Sequence, residues 1–231
     1  MKEIVILGAG GFAREVQWLI EDNNYGLPTN ERWKILGFVE PYVDGERIVN
    51  DLPVLTEDWL YQQKGIHVVC GLGEAKIRKR AITNLKARNP SLRYPSLVSR
   101  RAHVTGRVKM GEGCVICSGT ICTCNAEIGD FVIVNLLCTV AHDVRVGSFT
   151  QINPSVNVSG GVIIGQEVQM GTGVKIIPNV RIGDGAVLGA GAVVIKDIPA
   201  GCTAVGCPAR IVKEPEQMEQ GQGGGNPMSA E

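Results

Sequence analysis

The chain has 231 residues, of which 44% are hydrophobic, so it can bury a substantial core as one large domain or two small ones. Its 23 basic and 23 acidic residues cancel, which excludes an overall field favouring nucleic acid or an anionic membrane surface. No apolar run approaches the roughly 18 residues that a membrane-spanning helix needs, so we expect a soluble protein.

The first 95 residues alternate between strand and helix signals. An apolar run at 3–7 is followed by a glycine turn and then by a segment with apolar residues at helical spacing. Apolar runs at 33–40 and 67–73 predict further strands, and a helix is predicted over 75–88. We expect the basic residues of this last helix to lie on its solvated face. The alternation predicts a small parallel sheet with crossover helices, which is a Rossmann-like domain over residues 1–95.

The glycine turn after the first strand allows three interpretations. Gly8, Gly10 and Ala13 satisfy the G-x-G-x-x-G/A pattern of dinucleotide-binding folds, and Glu40 ends the next strand as such a fold requires. However, only about 90 residues precede the repeats described below, which is enough for one mononucleotide-binding half. A nucleotide diphosphate at the first helix N-terminus fits this length better, because free N–H groups and the helix dipole favour anions. A dinucleotide, and a turn that only packs, stay open as alternatives.

From residue 98 the sequence repeats every six residues. Each sixth position from Val98 to Val194 is apolar without interruption, and a second column from Ala102 to Ala192 holds small side chains. A period of six is typical of parallel β-helices, in which three hexads form one triangular coil. We therefore predict a smooth-sided prism of about five and a half coils, stacked at roughly 4.8 Å, with both columns pointing inward.

The eight cysteines are explained largely by this period. Cys114, Cys122 and Cys138 occupy inward columns, where a thiol behaves as a small hydrophobic group. Cys122 and Cys124 place one sulfur inside and one outside, which is a poor arrangement for a shared metal ion. The opening residues MKEIVILGAGG contain neither the apolar segment nor the cleavage site of a secretory signal. We therefore expect reduced thiols, a cytoplasmic location and no metal.

The three histidines differ in their expected roles. His67 precedes a buried strand and His103 lies in the first coil, so we expect structural roles for both. A zinc-dependent carbonic anhydrase on the same β-helix would need three histidine ligands, and His67 lies in the other domain. His142 instead occupies the third place of its hexad, where the side chain points outward.

Several segments together closely resemble the family of sialic acid O-acetyltransferases and nucleotide-sugar N-acetyltransferases. They are GAGGFAREV, GFVE, CGLGEAKIRKRAI, the uninterrupted hexads, an AHD turn, and the terminal GAGAVVIKDIPAG and GCPARIVK. The resemblance covers residues 2 to about 213 and implies a left-handed β-helix, although parallel crossovers are usually right-handed. It also implies a homotrimer with active sites between subunits, acetyl-CoA as co-substrate, and a role in glycan biosynthesis.

The chain is predicted to have three parts, and the resemblance implies the roles of the first two. Residues 1–95 would bind the nucleotide sugar, and residues 96–213 would form the acetyltransferase β-helix with a C-terminal cap over its open end. The tail over 214–231 is polar and glycine-rich, and we expect it to be disordered.

The resemblance also implies residue roles. His142 matches the general base of the family, and Asp143 matches the residue that orients or polarises it. The residues that would bind the nucleotide sugar are Gly10, Gly11, Phe12, Gly73 and Glu74, and those that would contact acetyl-CoA are Gln151, Thr172 and Ala190. Thr172 and Ala190 differ by one coil and therefore stack on one edge. Related proteins often have two acidic residues where this chain has Glu40 and Pro41, which we expect at the nucleoside, so the bound base stays open.

The predicted reaction is acetyl transfer from acetyl-CoA to the amino group of a nucleotide-linked 4-amino-4,6-dideoxy sugar, by direct attack on the thioester. Imidazole, with a reference pKa of about 6.5, can accept the proton of an amine near neutral pH. The same residues are compatible with a sugar O-acetyltransferase of the sialic acid type. A non-catalytic trimer that only binds nucleotide sugars is a further alternative.

Overall fold

The structure, a computed structural model, describes residues 1–215. Apart from its first two residues, the tail that we predict to be disordered therefore lies outside the described residues.

The N-terminal part forms a five-stranded α/β sheet. Its elements are β1 (Lys2–Leu7), α1 (Gly11–Asn24), β2 (Trp33–Glu40), β3 (Ile48–Val49), β4 (Leu52–Thr56), α2 (Glu57–Tyr61), β5 (His67–Cys70) and α3 (Ala75–Arg88). The strand order is β3-β4-β2-β1-β5, in which β1, β2, β4 and β5 are parallel and β3 is antiparallel to β4. The predicted strands and helices are present, and the parallel sheet is confirmed.

Two features of this sheet differ from the prediction. The prediction omitted β3, β4 and α2, because elements of two to five residues are too short to show a hydrophobic period. The third predicted strand ends at Cys70 instead of continuing to residue 73. After it, a Cβ on Gly71 would lie 2.6 Å from the Cα of Ala13, so only glycine lets α1 pack this closely against the chain leaving β5.

From Leu97 the chain winds into a three-sided parallel β-helix, whose sides we call faces I, II and III. Face I contains β6 (Leu97–Val98), β9 (Val115–Ile116), β12 (Ile133–Val134), β15 (Gln151–Ile152), β18 (Gln169–Met170) and β21 (Val187–Leu188). Face II contains β7 (His103–Val104), β10 (Ile121–Cys122), β13 (Thr139–Val140), β16 (Asn157–Val158), β19 (Lys175–Ile176) and β22 (Val193–Val194). Face III contains β8 (Lys109–Met110), β11 (Glu127–Ile128), β14 (Arg145–Val146), β17 (Ile163–Ile164) and β20 (Arg181–Ile182).

Within each face the successive strands pair in parallel at intervals of 18 residues, as in Ile121 with Thr139. One coil therefore spans three hexads, and the predicted prism is confirmed. The two sequence columns form one continuous buried cluster inside it, including Cys114, Cys122 and Cys138. In the first coil the column residues are only partly buried, because no earlier coil covers them.

The C-terminal segment departs from the prediction. We expected residues after Val194 to close the end of the prism as a cap, but they first continue the coil. β23 (Thr203–Val205) pairs in parallel with β21 on face I, and β24 (Arg210–Lys213) returns antiparallel to β23. The reason is that Cys202 and Ala204 are apolar and join the buried cluster, which extends the prism by one strand.

The α/β sheet packs against face I of the prism. The outward side chains of Leu97, Val115 and Ile133 on this face are buried in one cluster with α1 and β1. Phe131 and Phe149, at the edge between faces III and I, pack into a second cluster with β5 and α3. Face I is therefore covered, and the opposite edge, between faces II and III, remains on the far side of the prism from the N-terminal sheet.

Candidate active site

His142 lies on the turn between faces II and III, within the AHD segment. Its Nδ1 is 2.9 Å from Oδ2 of Asp143, and about two thirds of the His142 side chain is exposed. Because a carboxylate only accepts hydrogen bonds, Nδ1 carries a proton in this pair. In the neutral ring Nε2 then has a free lone pair, which is the form that a general base requires.

A second side chain fixes Asp143 from the preceding coil. Nδ2 of Asn125, 18 residues earlier on the same edge, donates to Oδ1 of Asp143 at 3.2 Å. The hydrogen bonds from His142 and Asn125 hold the pKa of the Asp143 carboxyl below its usual value. The backbone N–H of Asp143 also donates to the carbonyl of Cys124, so the carboxylate is held by side-chain and backbone contacts together.

The following coil determines where the imidazole lies. A Cβ on Gly160 would be 2.5 Å from both Cε1 and Nε2 of His142. The ring therefore occupies the space that a side chain at residue 160 would need. Sequence reasoning did not single out Gly160 or Asn125, although each lies one coil from His142 or Asp143 in the 18-residue period.

The second predicted site is a cavity of about 620 Å³ at the carboxyl ends of β1, β2 and β5. It is lined by six of the residues that we predict to bind the nucleotide sugar, namely Gly10, Gly11, Phe12, Glu40, Pro41 and Gly73. Gly10 is the N-cap of α1 and makes no side-chain cap bond, so the first N–H groups of that helix are available to a ligand. Carboxyl ends of parallel strands are the usual ligand position in such sheets.

The remaining residues around this cavity differ from the prediction. Glu74 does not line it, because this exposed residue is the N-cap of α3. Glu40 is engaged by Arg47, with Oε2 and Nη1 2.6 Å apart. Glu57 of α2 and Arg80 of α3 also line the cavity, and the sequence did not indicate them, because neither follows a motif.

The three residues predicted to contact acetyl-CoA are not together. Thr172 and Ala190 are exposed and stack on the edge between faces I and II, where the N–H of Gly191 donates to the carbonyl of Thr172. Gln151 lies apart from this edge. Its side chain is buried on face I, where its amide donates to Asn153 and accepts from Arg78, and its contact with acetyl-CoA stays a prediction.

Arg78 is the largest error in the sequence prediction. We expected the basic residues of α3 to be solvated, but Arg78 is fully buried between α3 and the prism. Burial lowers the pKa of its guanidinium to about 10, which still leaves the group charged at neutral pH. A buried charge must be hydrogen-bonded, and the acceptors that satisfy Arg78 belong to both parts of the molecule.

The remaining histidines and the core cysteines lie outside the two candidate sites. His67 contacts the backbone carbonyl of Glu3 through Nδ1, whereas His103 is exposed on face II. Burial raises the pKa of the Cys122 thiol to about 12, so this residue stays protonated in the core. Within residues 1–215, no cluster of three or more His, Cys, Asp or Glu residues could hold a metal ion. In the same part of the chain, no helix has the length and apolar character to cross a membrane.

Comparison with known proteins supports the resemblance at both ends of the chain. Residues 3–85 match the family described as the PglD N-terminal domain, and residues 161–196 match the bacterial transferase hexapeptide family. No curated protein sequence matches the chain.

Three solved structures are similar over nearly the whole length. WeeI from Acinetobacter baumannii AYE has 29% identity and a TM-score of 0.82, covering 92% of this chain and 100% of WeeI. The acetyltransferase domain of PglB from Neisseria gonorrhoeae FA1090, solved with acetyl coenzyme A, has 29% identity, a TM-score of 0.81 and coverages of 91% and 99%. PerB from Caulobacter crescentus, solved with CoA and GDP-perosamine, has 26% identity, a TM-score of 0.81 and coverages of 91% and 97%.

The fold and these comparisons define a hexapeptide-repeat acetyltransferase with a left-handed β-helix after a small α/β domain. Within this class the chain is similar to the perosamine N-acetyltransferase from Caulobacter crescentus, which was solved with CoA and GDP-perosamine, and to the acetyltransferase domain of PglB.

Proposed function

We propose that this protein acetylates the 4-amino group of a nucleotide-linked 4-amino-4,6-dideoxy sugar and that His142 is the general base. The observation that carries this proposal is the exposed imidazole whose Nδ1 is occupied by Asp143, which leaves Nε2 free. We assign binding of the nucleotide sugar to residues 1–95 and acetyl transfer to residues 96–213.

The chemistry needs one base and one group that stabilises the protonated base. The sugar amine attacks the thioester carbonyl of acetyl-CoA, and Nε2 of His142 accepts its proton as the C–N bond forms. Collapse of the tetrahedral intermediate breaks the C–S bond, and the CoA thiolate leaves and takes up a proton. Asp143 stabilises the imidazolium and keeps the ring in the required tautomer, as the acid does in hydrolytic triads.

The cavity beside α1 is proposed to hold the nucleotide diphosphate. Its volume of about 620 Å³ is within the range of small-ligand sites. The N–H groups of Gly11 and Phe12 at the start of α1 would bind the diphosphate, since helix N-termini favour anions. Glu40 and Pro41, at the carboxyl end of β2, would contact the nucleoside, and a role for Glu74 would be limited to its backbone.

The positions of the cavity and of His142 within one chain favour an active site that two subunits share. Within one chain the cavity belongs to the sheet that covers face I, whereas His142 lies on the opposite edge of the prism. A nucleotide sugar in the cavity therefore needs the His142 edge of a neighbouring chain. We propose a homotrimer, the closed assembly in which each of three equal interfaces brings one cavity to one His142. Acetyl-CoA would run along the edge formed by Thr172 and Ala190.

The experiment incubates the purified protein with acetyl-CoA and a panel of UDP-, dTDP- and GDP-linked sugars, and follows release of the CoA thiol. The matched controls are the same nucleotide sugars with a 4-hydroxyl in place of the 4-amino group. We expect turnover with at least one 4-amino sugar and none with its 4-hydroxyl counterpart.

Two outcomes would contradict this proposal. Turnover confined to hydroxyl acceptors would identify an O-acetyltransferase. Binding of nucleotide sugars without turnover, together with no thermal stabilisation by acetyl-CoA, would identify a non-catalytic binding protein.

A further inference from the structure

Arg78 makes an unusual set of hydrogen bonds for a buried cation. Within the described residues its guanidinium forms no ion pair. All but one of its acceptors are backbone carbonyls, and the exception is Oε1 of Gln151. The carbonyl acceptors are those of Leu72, Gly73, Phe131, Phe149 and Thr150. Arg78 therefore joins the turn after β5 to the edge of the prism between faces III and I.

The bonds to the turn fix the direction of two consecutive peptide planes. Nη1 of Arg78 is 2.8 Å from the carbonyl oxygen of Leu72 and 2.7 Å from that of Gly73. In a planar trans peptide the N–H points opposite to the C=O. The N–H groups of Gly73 and Glu74 therefore point away from Arg78, and within residues 1–215 neither donates to a protein acceptor.

One of these N–H groups belongs to a residue in the wall of the candidate nucleotide site, and the other belongs to the residue that follows it. Gly73 lines the cavity of about 620 Å³, and α3 begins directly after Glu74 without a side-chain cap. Consecutive backbone N–H groups that point the same way form an anion-binding concavity. The turn thus offers a second set of donors to the cavity whose first set is the start of α1.

The bonds to the prism make the orientation rigid. Nε of Arg78 donates to the carbonyl of Phe131 at 3.0 Å, and Nη2 donates to that of Phe149 at 2.7 Å. These carbonyls belong to successive coils, which backbone hydrogen bonds join, such as the one from the N–H of Phe149 to the carbonyl of Asp130. Arg78 therefore fixes the position of the turn relative to the prism, in addition to the connection of the turn to β5.

Packing alone gives no reason to bury this charge. Taking a guanidinium out of water is costly, and apolar residues of similar volume often serve as well or better in such places. Backbone carbonyls that point at the guanidinium, however, would lose their hydrogen-bond donor if an apolar side chain replaced it. The neighbouring Lys79 also joins α3 to the prism, through an ion pair with Glu167, but it contacts no part of the turn.

We propose that Arg78 is a positioning residue that orients the Gly73 and Glu74 N–H groups towards the anionic part of the nucleotide-linked substrate. This inference rests on the proposed function of the cavity. It assigns no chemical role to Arg78 itself, which touches neither the substrate nor the reacting atoms.

The test compares Arg78→Met with the matched control Lys79→Met. Steady-state kinetics give KM for the nucleotide sugar and for acetyl-CoA separately, and hydrogen–deuterium exchange follows the segment 71–77 without substrate. For Arg78→Met we expect KM for the nucleotide sugar to rise about tenfold or more, KM for acetyl-CoA to change less than about twofold, and exchange at 71–77 to accelerate. Lys79→Met should leave all three close to wild type.

Equal changes in both KM values, or the same changes in Lys79→Met, would overturn the proposal in favour of a general packing role. If Arg78→Met does not fold, Arg78→Lys is measured in the same way, since an ammonium keeps the charge but cannot satisfy the same set of carbonyls. If the wild type binds no nucleotide sugar, the proposed function fails, whereas the exchange comparison still decides whether Arg78 holds the turn. Unchanged exchange in the folded variant would then reject the inference itself.

Discussion

Three residues on the same edge of the prism position the imidazole of His142, either directly or through a neighbour. Asp143 fixes its tautomer, Asn125 fixes Asp143 from the preceding coil, and Gly160 leaves room for the ring in the following coil. A β-helix suits this purpose, because its coils stack at a constant spacing and the groups cannot drift apart. Changes at these neighbouring residues should therefore affect the imidazole without altering His142 itself.

The first prediction concerns Gly160→Ala. The backbone at this residue is outside the left-handed region, so alanine causes no strain of its own, but its Cβ would overlap the His142 ring. We expect kcat to fall by about tenfold or more while the melting temperature changes by only a few degrees, since a displaced base loses its geometry. Gly106→Ala on the same edge, where nothing lies within 4 Å, is the control and should behave as wild type. Normal kcat in Gly160→Ala would show that the ring position is not important.

The second prediction concerns Asp143→Asn. The pKa of Asp143 is lowered by its hydrogen bonds, so the carboxylate is ionised at every pH where the enzyme works. The loss of this charge should therefore lower kcat by a constant factor, about tenfold to a hundredfold, from pH 8 to pH 9, where an imidazole with the reference pKa of about 6.5 is neutral. Measurement of kcat across this range for both proteins provides the check. A ratio that changes strongly with pH would mean that Asp143 titrates during the reaction.

At the scale of elements, the repeat made the prism predictable. Every hexad has the same two inward positions, so a single period of six residues predicted where the strands lie from residue 98 to 194. The short elements between residues 48 and 61 had no such repetition, and the two strands among them form through pairing, β4 with β2 and β3 with β4. Arg78 was mistaken for a solvated residue because the charge pattern of a helix reflects only its own segment, whereas the acceptors that Arg78 finds in the prism are 53 to 73 residues away in sequence. The candidate site was predictable only in part for the same reason. The glycine motif beside the nucleotide cavity is visible in the sequence, whereas Asn125 and Gly160 follow no motif and approach His142 and Asp143 only because the coils stack.

An ion-pair cluster joins α1 to the first coil and gives a stability prediction. Asp22 accepts hydrogen bonds from Arg100 and Arg101, at 3.1 and 2.8 Å, and these bonds lower its pKa to about 2. A lowered carboxyl pKa stabilises the fold above the reference value of 3.8, and this contribution is lost as the pH falls towards 2. The difference in urea midpoint between wild type and Asp22→Asn should therefore be present at pH 6 and shrink below pH 4. A difference that is independent of pH would contradict this account.

At the scale of the whole molecule, the proposed site needs two chains, which predicts complementation. His142→Ala leaves the cavity intact, and Gly11→Glu leaves His142 intact but puts a carboxylate where the diphosphate would bind. Each variant alone should be nearly inactive. In randomly mixed trimers about one quarter of the sites combine an intact cavity with an intact His142, so about one quarter of wild-type activity should return.

Refolding or subunit exchange at equal amounts, followed by the thiol assay, gives the measurement. No recovery in verified mixed trimers would mean that each chain completes its own site.

His142 is proposed to remove the proton from the attacking amine. The most direct test is kcat of His142→Ala with a nucleotide sugar that the wild type acetylates, together with the oligomeric mass and the affinity for acetyl-CoA. We predict that kcat falls by about 10² to 10⁴-fold while mass and affinity stay unchanged, because general-base catalysis is typically worth this factor. Near-normal acetyl transfer by the folded variant would contradict the account.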